Sequence, residues 1–104
     1  FNNCPRLKRV IMPGVKVAER GAFISCAALT DVECDKLEII GEAAYSNCVS
    51  LRSINLPSAE IVENEAFYCC EALTSVKFGS KLERIEESAF CDCTPLERIT
   101  IPLK

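Results

Sequence analysis

The chain has 104 residues, 49% hydrophobic and 26% charged, with a formal net charge of −3. That length allows one domain with a viable core, and the absence of histidine removes the commonest general base and the commonest metal ligand. Zero tryptophans and a pI near 5.0 argue against a nucleic-acid module, which shows a concentrated basic face. Eight cysteines are the one extreme value, and by count alone they suggest a disulfide scaffold. No run approaches the roughly 18 to 20 apolar residues of a membrane span. The start, Phe1-Asn2-Asn3-Cys4, has neither the basic nor the apolar region of a signal peptide. With no initiator methionine, the chain reads as a fragment or a processed product.

An internal repeat organises everything that follows. The aromatics Phe1, Phe23, Tyr45, Phe67 and Phe90 recur at intervals of 22, 22, 22 and 23. Three residues after each stands Cys4, Cys26, Cys48, Cys70 or Cys93, and three further on Leu7, Leu29, Leu51, Leu73 or Leu96. The β-branched Val10, Val32, Ile54, Val76 and Ile99 follow, then Met12, Cys34, Leu56, Phe78 and Ile101 two residues beyond. The units are therefore 1–22, 23–44, 45–66, 67–89 and a partial 90–104, in one array read as part of a longer one.

Along each unit the same elements are predicted in the same order. A segment such as Leu51-x-x-Ile54-x-Leu56 alternates with period two, which suits a half-buried strand. Pro57, with Pro13 and Pro102 in the same column, ends it because proline cannot donate to a ladder. A shorter extended piece follows, Ala59-Glu60-Ile61-Val62. Then Ala66, Phe67 and Cys70 fall at i, i+1 and i+4, the stripe of a short helical turn. Glu19, Glu42, Glu63, Glu65, Glu86 and Glu87 lead into that turn, as the positive end of a helix dipole favours. In the fourth unit Phe78-Gly79-Ser80 replaces the proline and one residue is inserted, which predicts a local bulge. One unit cannot bury its apolar side alone, so the strands are expected to stack into one continuous parallel sheet.

Units such as Ala44-Tyr45-x-x-Cys48-x-x-Leu51-x-x-Ile54-x-Leu56-Pro57, fed by Leu37-x-x-Ile40-Gly41, resemble the BspA-like (treponemal-type) leucine-rich repeats over essentially the whole chain. The resemblance implies a leucine-rich repeat solenoid: a parallel β-sheet with one main strand per 22–23-residue repeat, a short second strand and a short helical turn. It also implies that the cysteine column takes the ladder role that a polar residue fills in the general leucine-rich consensus. By the same resemblance the chain is expected to be like the family's surface proteins of host-associated bacteria and protists, with roles in adhesion and binding to matrix proteins.

The column Cys4, Cys26, Cys48, Cys70 and Cys93 is read as structural, because a small, apolar-tolerant thiol suits an inward stack. Cys34 stands where its neighbours place an aliphatic residue. Cys69 and Cys91 flank ladder cysteines, and their readings are free thiols, a disulfide between them, or an exposed reactive thiol at Cys91. Their spacing does not match the paired knuckles of zinc sites, so no metal and no cofactor is expected. No nucleophile elbow, phosphate loop or calcium loop is present, and no catalytic residue is assigned.

Alternation also predicts an outward face of three columns. The first is Lys8, Thr30, Arg52, Thr74 and Glu97; the second Arg9, Asp31, Ser53, Ser75 and Arg98; the third Ile11, Glu33, Asn55, Lys77 and Thr100. These vary from unit to unit while the inward columns do not, as expected of a non-enzymatic scaffold that binds a protein partner. Mixed signs speak against a polyanion such as nucleic acid. The alternative is a structural, self-associating element, since neither end carries a polar cap. Reduced thiols fit a cytoplasmic home and the resemblance fits a cell surface or extracellular one.

Overall fold

Short period-two segments can pair only if a neighbouring coil supplies the partner, and the whole architecture follows that need. The computed structural model describes residues 3–102 and contains β1 (Arg9–Ile11), β2 (Val17–Ala18), β3 (Asp31–Glu33), β4 (Ile39–Ile40), β5 (Ser53–Leu56), β6 (Ile61–Val62), β7 (Ser75–Phe78), β8 (Arg84–Ile85) and β9 (Arg98–Thr100). All pairings are parallel and one repeat apart: Arg9 faces Asp31, Ile39 faces Ile61 and Ser53 faces Ser75. The result is a parallel β-solenoid with one main and one short strand per coil. No helix among the described residues is long and apolar enough to cross a membrane.

The short strands β2, β4, β6 and β8 form one four-stranded ladder. The main strands do not form the single continuous sheet expected of them. They make two sheets, β1–β3 and β5–β7–β9, parted between the second and third coils. In the first coil the Met12 N–H bonds the Glu33 carbonyl at 2.8 Å. One coil on, the equivalent Asn55 carbonyl is reached by the Cys34 thiol at 3.7 Å. A side chain with a weak donor thus stands where a backbone bond would have joined the sheets.

The predicted helical turn also does not form. Within the third coil the N–H groups of Ala44, Ser46 and Cys48 bond back to the carbonyls of Gly41, Ala43 and Tyr45, at 3.1, 3.2 and 3.3 Å. The intervening N–H groups of Ala43, Tyr45 and Asn47 bond across to Asn64, Ala66 and Tyr68 in the next coil, at 3.2, 2.8 and 2.7 Å. An α-helix would commit them all to its own i−4 carbonyls. Alternate donors can face the neighbour only if the chain reverses hand repeatedly, and Ala43 and Asn47 are left-handed with φ of 57° and 60°. Gly21 and Glu65 repeat the first position; Asn3, Ser25, Cys69 and Asp92 repeat the second. With no helix among the described residues there is no helix dipole for the glutamates before the turn to meet; Glu19, Glu42, Glu65 and Glu87 are exposed, and half-buried Glu86 accepts from Arg84 at 2.9 Å.

The inward columns build the core. Leu29, Leu51 and Leu73 are fully buried, as are Tyr45 and Phe67, and each such side chain contributes about 1.5–3 kcal/mol. Phe23, Tyr45, Phe67 and Phe90 stack with centroids 5.2–5.4 Å apart and planes within 13°. That spacing is the coil repeat of about 4.8 Å lengthened by the offset that aromatic faces prefer. The Tyr45 hydroxyl lies inside this stack with no hydrogen-bond partner.

The inserted residue is absorbed between β7 and β8. Pairing steps are 22 through Leu56–Phe78 and become 23 at Ile61–Arg84 and Ser75–Arg98, with the strands on both sides intact. Gly79 occupies the proline column there, because any Cβ would collide with the Pro57 carbonyl. Gly41 is held by a similar approach: its Cβ would lie 2.5 Å from the Ala18 oxygen and 3.0 Å from the Arg20 nitrogen.

Urea unfolding of two variants tests this packing in opposite directions. Gly41→Ala should lower stability by about 1–3 kcal/mol, since backbone on a neighbouring coil must move. Tyr45→Phe should raise it by about 1 kcal/mol, since it removes an orphaned buried donor and keeps the ring. A loss on Tyr45→Phe would show that the hydroxyl is satisfied after all.

Candidate functional site

Along β5 the pattern is exposed Ser53, buried Ile54, exposed Asn55, buried Leu56. On the other main strands too every residue of the three outward columns is exposed except Ser75, which is half-buried, although on β9 the inward Ile99 is exposed as well. Pairing register then aligns them. Arg9 stands beside Asp31 and Ile11 beside Glu33, while Ser53, Ser75 and Arg98 form one row and Asn55, Lys77 and Thr100 another. In the first column the hydroxyls of Thr30 and Thr74 bond the carbonyls of Lys8 and Arg52 at 3.3 and 3.1 Å, so they are partly spent on the scaffold.

Charge divides this face in two. On β1–β3 the Arg9 guanidinium donates to Glu33 Oε1 at 2.7 Å and lies 3.6 Å from Asp31 Oδ2. The hydrogen bond that Arg9 donates to Glu33, reinforced by the charges of both carboxylates, holds the Arg9 pKa above its usual value. On β5–β7–β9 the cations Lys77 and Arg98 enter none of the ion pairs among the described residues. They border a shallow hollow of about 230 Å³ with Ser53, Asn55, Ser75 and Thr100. The sequence columns contained Arg9 and Glu33 but not their partnership, which spans 24 residues on the diagonal of the repeat. Opposite signs at spacings of 22 and 24 were the available signal.

The cysteine column lies on the inner side. Cys26, Cys48 and Cys70 are fully buried and Cys93 nearly so. The thiols of Cys48, Cys70 and Cys93 reach the carbonyls of Phe23, Tyr45 and Phe67 at 3.2, 3.1 and 2.9 Å. Each of those carbonyls also accepts the N–H of the cysteine three residues on in its own coil, at 3.2–3.3 Å. One thiol therefore fills the second lone pair of a turn carbonyl one coil away. Burial pushes the Cys48 thiol up to about 12, and burial with the Asp35 carboxylate does the same to Cys34. The Cys93 thiol and burial together raise Cys70.

Cys69 and Cys91 carry no disulfide. The Cys69 N–H bonds the Cys91 carbonyl at 3.0 Å, and its thiol lies 4.0 Å from Asp92 Oδ2. Cys91 is exposed, but partial desolvation and then Asp92, Cys69 and Glu65 raise its pKa. The reading of Cys91 as a reactive thiol is therefore met by access without activation. Among the described residues no group of three or more cysteines and carboxylates could hold a metal ion.

A parallel β-solenoid with an apolar interior, a thiol ladder and a variable outer face defines the class of protein. The family described as BspA type leucine rich repeat region (6 copies) matches residues 18–104, and the chain belongs to that family. Among solved structures it is similar to a leucine-rich repeat protein from Bacteroides ovatus ATCC 8483, with TM-score 0.89 and 36% identity over 95% of this chain and 26% of that one. It is also similar to a leucine rich cell surface protein from Faecalibacterium prausnitzii A2-165, with TM-score 0.77 and 26% identity over 94% of this chain and 30% of that one. The chain thus spans between a quarter and a third of the length of these two proteins. No curated protein matches it.

The thiols supply a pH-dependent prediction. Unfolded thiols ionise near about pH 8.5, whereas Cys34 and Cys48 stay protonated in the fold until about 12. Their raised folded values mean that this stabilisation is complete below about pH 8.5 and drains away as pH climbs towards 12. The urea midpoint should accordingly fall across that alkaline window. At neutral pH a thiol reagent should label Cys91 first and the Cys26, Cys48, Cys70 column only on unfolding. Native labelling of Cys48 as fast as Cys91 would contradict the buried ladder.

Proposed function

We propose that this chain is a non-enzymatic scaffold that binds a protein partner through the outward face of its main strands, in adhesion at a cell surface or outside the cell. The observation that carries the reading is the contrast between the two sides of each strand. Inward positions repeat apolar residues, whereas the outward columns vary in chemistry along the chain and stand exposed but for half-buried Ser75. A fold that holds its interior constant and varies one rigid face can recognise partners without altering its core. The surface location rests on the family and on the F. prausnitzii neighbour, which is described as a cell surface protein. A second reading, self-association end to end, rests on exposed Ile11, Val15 and Val17 in the first coil and Ile99 and Ile101 in the last.

Lysine-directed cross-linking to a captured partner, mapped by mass spectrometry, tests the face. Links should form at Lys8 and Lys77, on the outward columns, rather than at Lys16, Lys36 and Lys81. Reversal of Arg9, Arg52 and Lys77 to glutamate should abolish capture. Links confined to the other lysines, or undiminished capture by the reversed variant, would overturn the reading. Sedimentation as a monomer at high protein concentration would remove the self-association alternative.

A further inference from the structure

We infer that the β5–β7–β9 part of the face is a recognition site for an acidic peptide segment, with Lys77 and Arg98 taking carboxylates spaced two residues apart. This rests on the face being the partner-binding surface and adds the chemistry of what it binds.

Three observations converge on one class of ligand. First, the hollow is lined by two cations, the hydroxyls of Ser53, Ser75 and Thr100, the Asn55 amide and Val76, with no carboxylate among the described residues that line it. On a chain with a net charge of −3, a donor-rich concavity free of acidic groups selects for an acceptor. Secondly, the other half of the same face shows what happens where carboxylates are present: Arg9 is consumed by Glu33 and Asp31. Lys77 and Arg98 have no such partner among the described residues, so their charge faces a visitor. Thirdly, the register fixes their separation. Lys77 stands beside Thr100, two residues along β9 from Arg98, so their Cα atoms lie on a diagonal of about 8 Å, one strand spacing across and two residues along. An extended peptide advances about 6.6–6.8 Å per two residues. Carboxylates at alternate positions of an extended segment can therefore meet the two cations in turn, the guanidinium making a bidentate contact.

The same geometry disfavours a polyanion. Glu97 lies in the first column beside Thr74, and Asp31 and Glu33 stand on the neighbouring sheet. A long anionic polymer leaving the hollow would meet these carboxylates, whereas one or two side-chain carboxylates would not. Exposed ion pairs contribute little each, so the site supplies selectivity and encounter steering more than tight binding.

The probe is an acetylated, amidated pentapeptide with aspartate at its second and fourth positions between glycines, titrated into isotope-labelled full chain at low salt. Amide shifts should concentrate on β5, β7 and β9 and spare β1 and β3. The asparagine counterpart should bind about tenfold more weakly, and Lys77→Gln and Arg98→Gln about threefold each; Arg9→Gln should bind as wild type. Raising ionic strength to about 0.5 M should weaken the aspartate peptide alone. Equal binding of the two peptides, or shifts centred on β1–β3, would overturn the proposal, and the dispersion of each variant's spectrum confirms its fold. Should the peptide fail while partner cross-links still map to Lys77, the acidic chemistry falls and the face stands. Should the peptide bind at the hollow while partner links map elsewhere, the acidic chemistry stands and the face falls as the partner's surface.

Discussion

In this solenoid the backbone of each coil is only half satisfied by itself. Alternate N–H groups in the turn face inward to their own coil and outward to the next, so no coil completes its hydrogen bonds until its neighbour is in register. Buried backbone donors left unmade would each cost on the order of 1–3 kcal/mol. This constraint fixes the repeat length more firmly than the apolar columns do, since side chains tolerate small displacements and a ladder does not. It also explains why the one inserted residue appears between Phe78 and Arg84, outside both the strands and the turn ladder.

Cysteine fits the turn for reasons of size as well as polarity. The carbonyls of Phe23, Tyr45 and Phe67 already accept an N–H from their own coil, and the second acceptor position is met by a buried cysteine of the next coil. A thiol fills that position as a small hydrophobe and adds a weak donor bond. A stronger polar group would need more partners than the site provides, and the orphaned Tyr45 hydroxyl nearby shows how little polar capacity the interior has to spare. High cysteine content here reflects a recurring packing position, with the count of eight made up chiefly by one column.

The repeat, the inward columns and the exposed columns were legible because burial imposes period two on each strand and period 22 on the chain. The turn was not. Ala66, Phe67 and Cys70 share the spacing of a helical stripe, but a chain of tight turns with left-handed residues puts the same side chains inward. Asn3, Asn47 and Asp92 in one column were a signal for that conformation, since Asn and Asp tolerate it; Ser25 and Cys69 in the same column, with Glu65 in the companion one, concealed it. The parting of the main sheet was equally hidden. Cys34 reads as one more apolar residue in its column, and only its contact with the Asn55 carbonyl distinguishes it from Leu56 or Phe78. For the face, alternation identified which residues point outward but not which of them spend their charge on each other.

The two divisions of the face coincide. The sheets part between β3 and β5, and the self-paired charges lie on one side while the open cations lie on the other. Arg9 can reach Glu33 because β1 and β3 are bonded in register, which sets a diagonal that a long guanidinium side chain spans. Across the parting there is no such shared ladder to hold acidic Asp31 and Glu33 against the cations of the third to fifth coils. A charged column on a solenoid is thus not read coil by coil, because each coil's neighbour decides whether a side chain is part of the scaffold's own bonding or is left for a ligand. Varying one outward residue changes recognition on its own coil and also releases or captures the residue beside it.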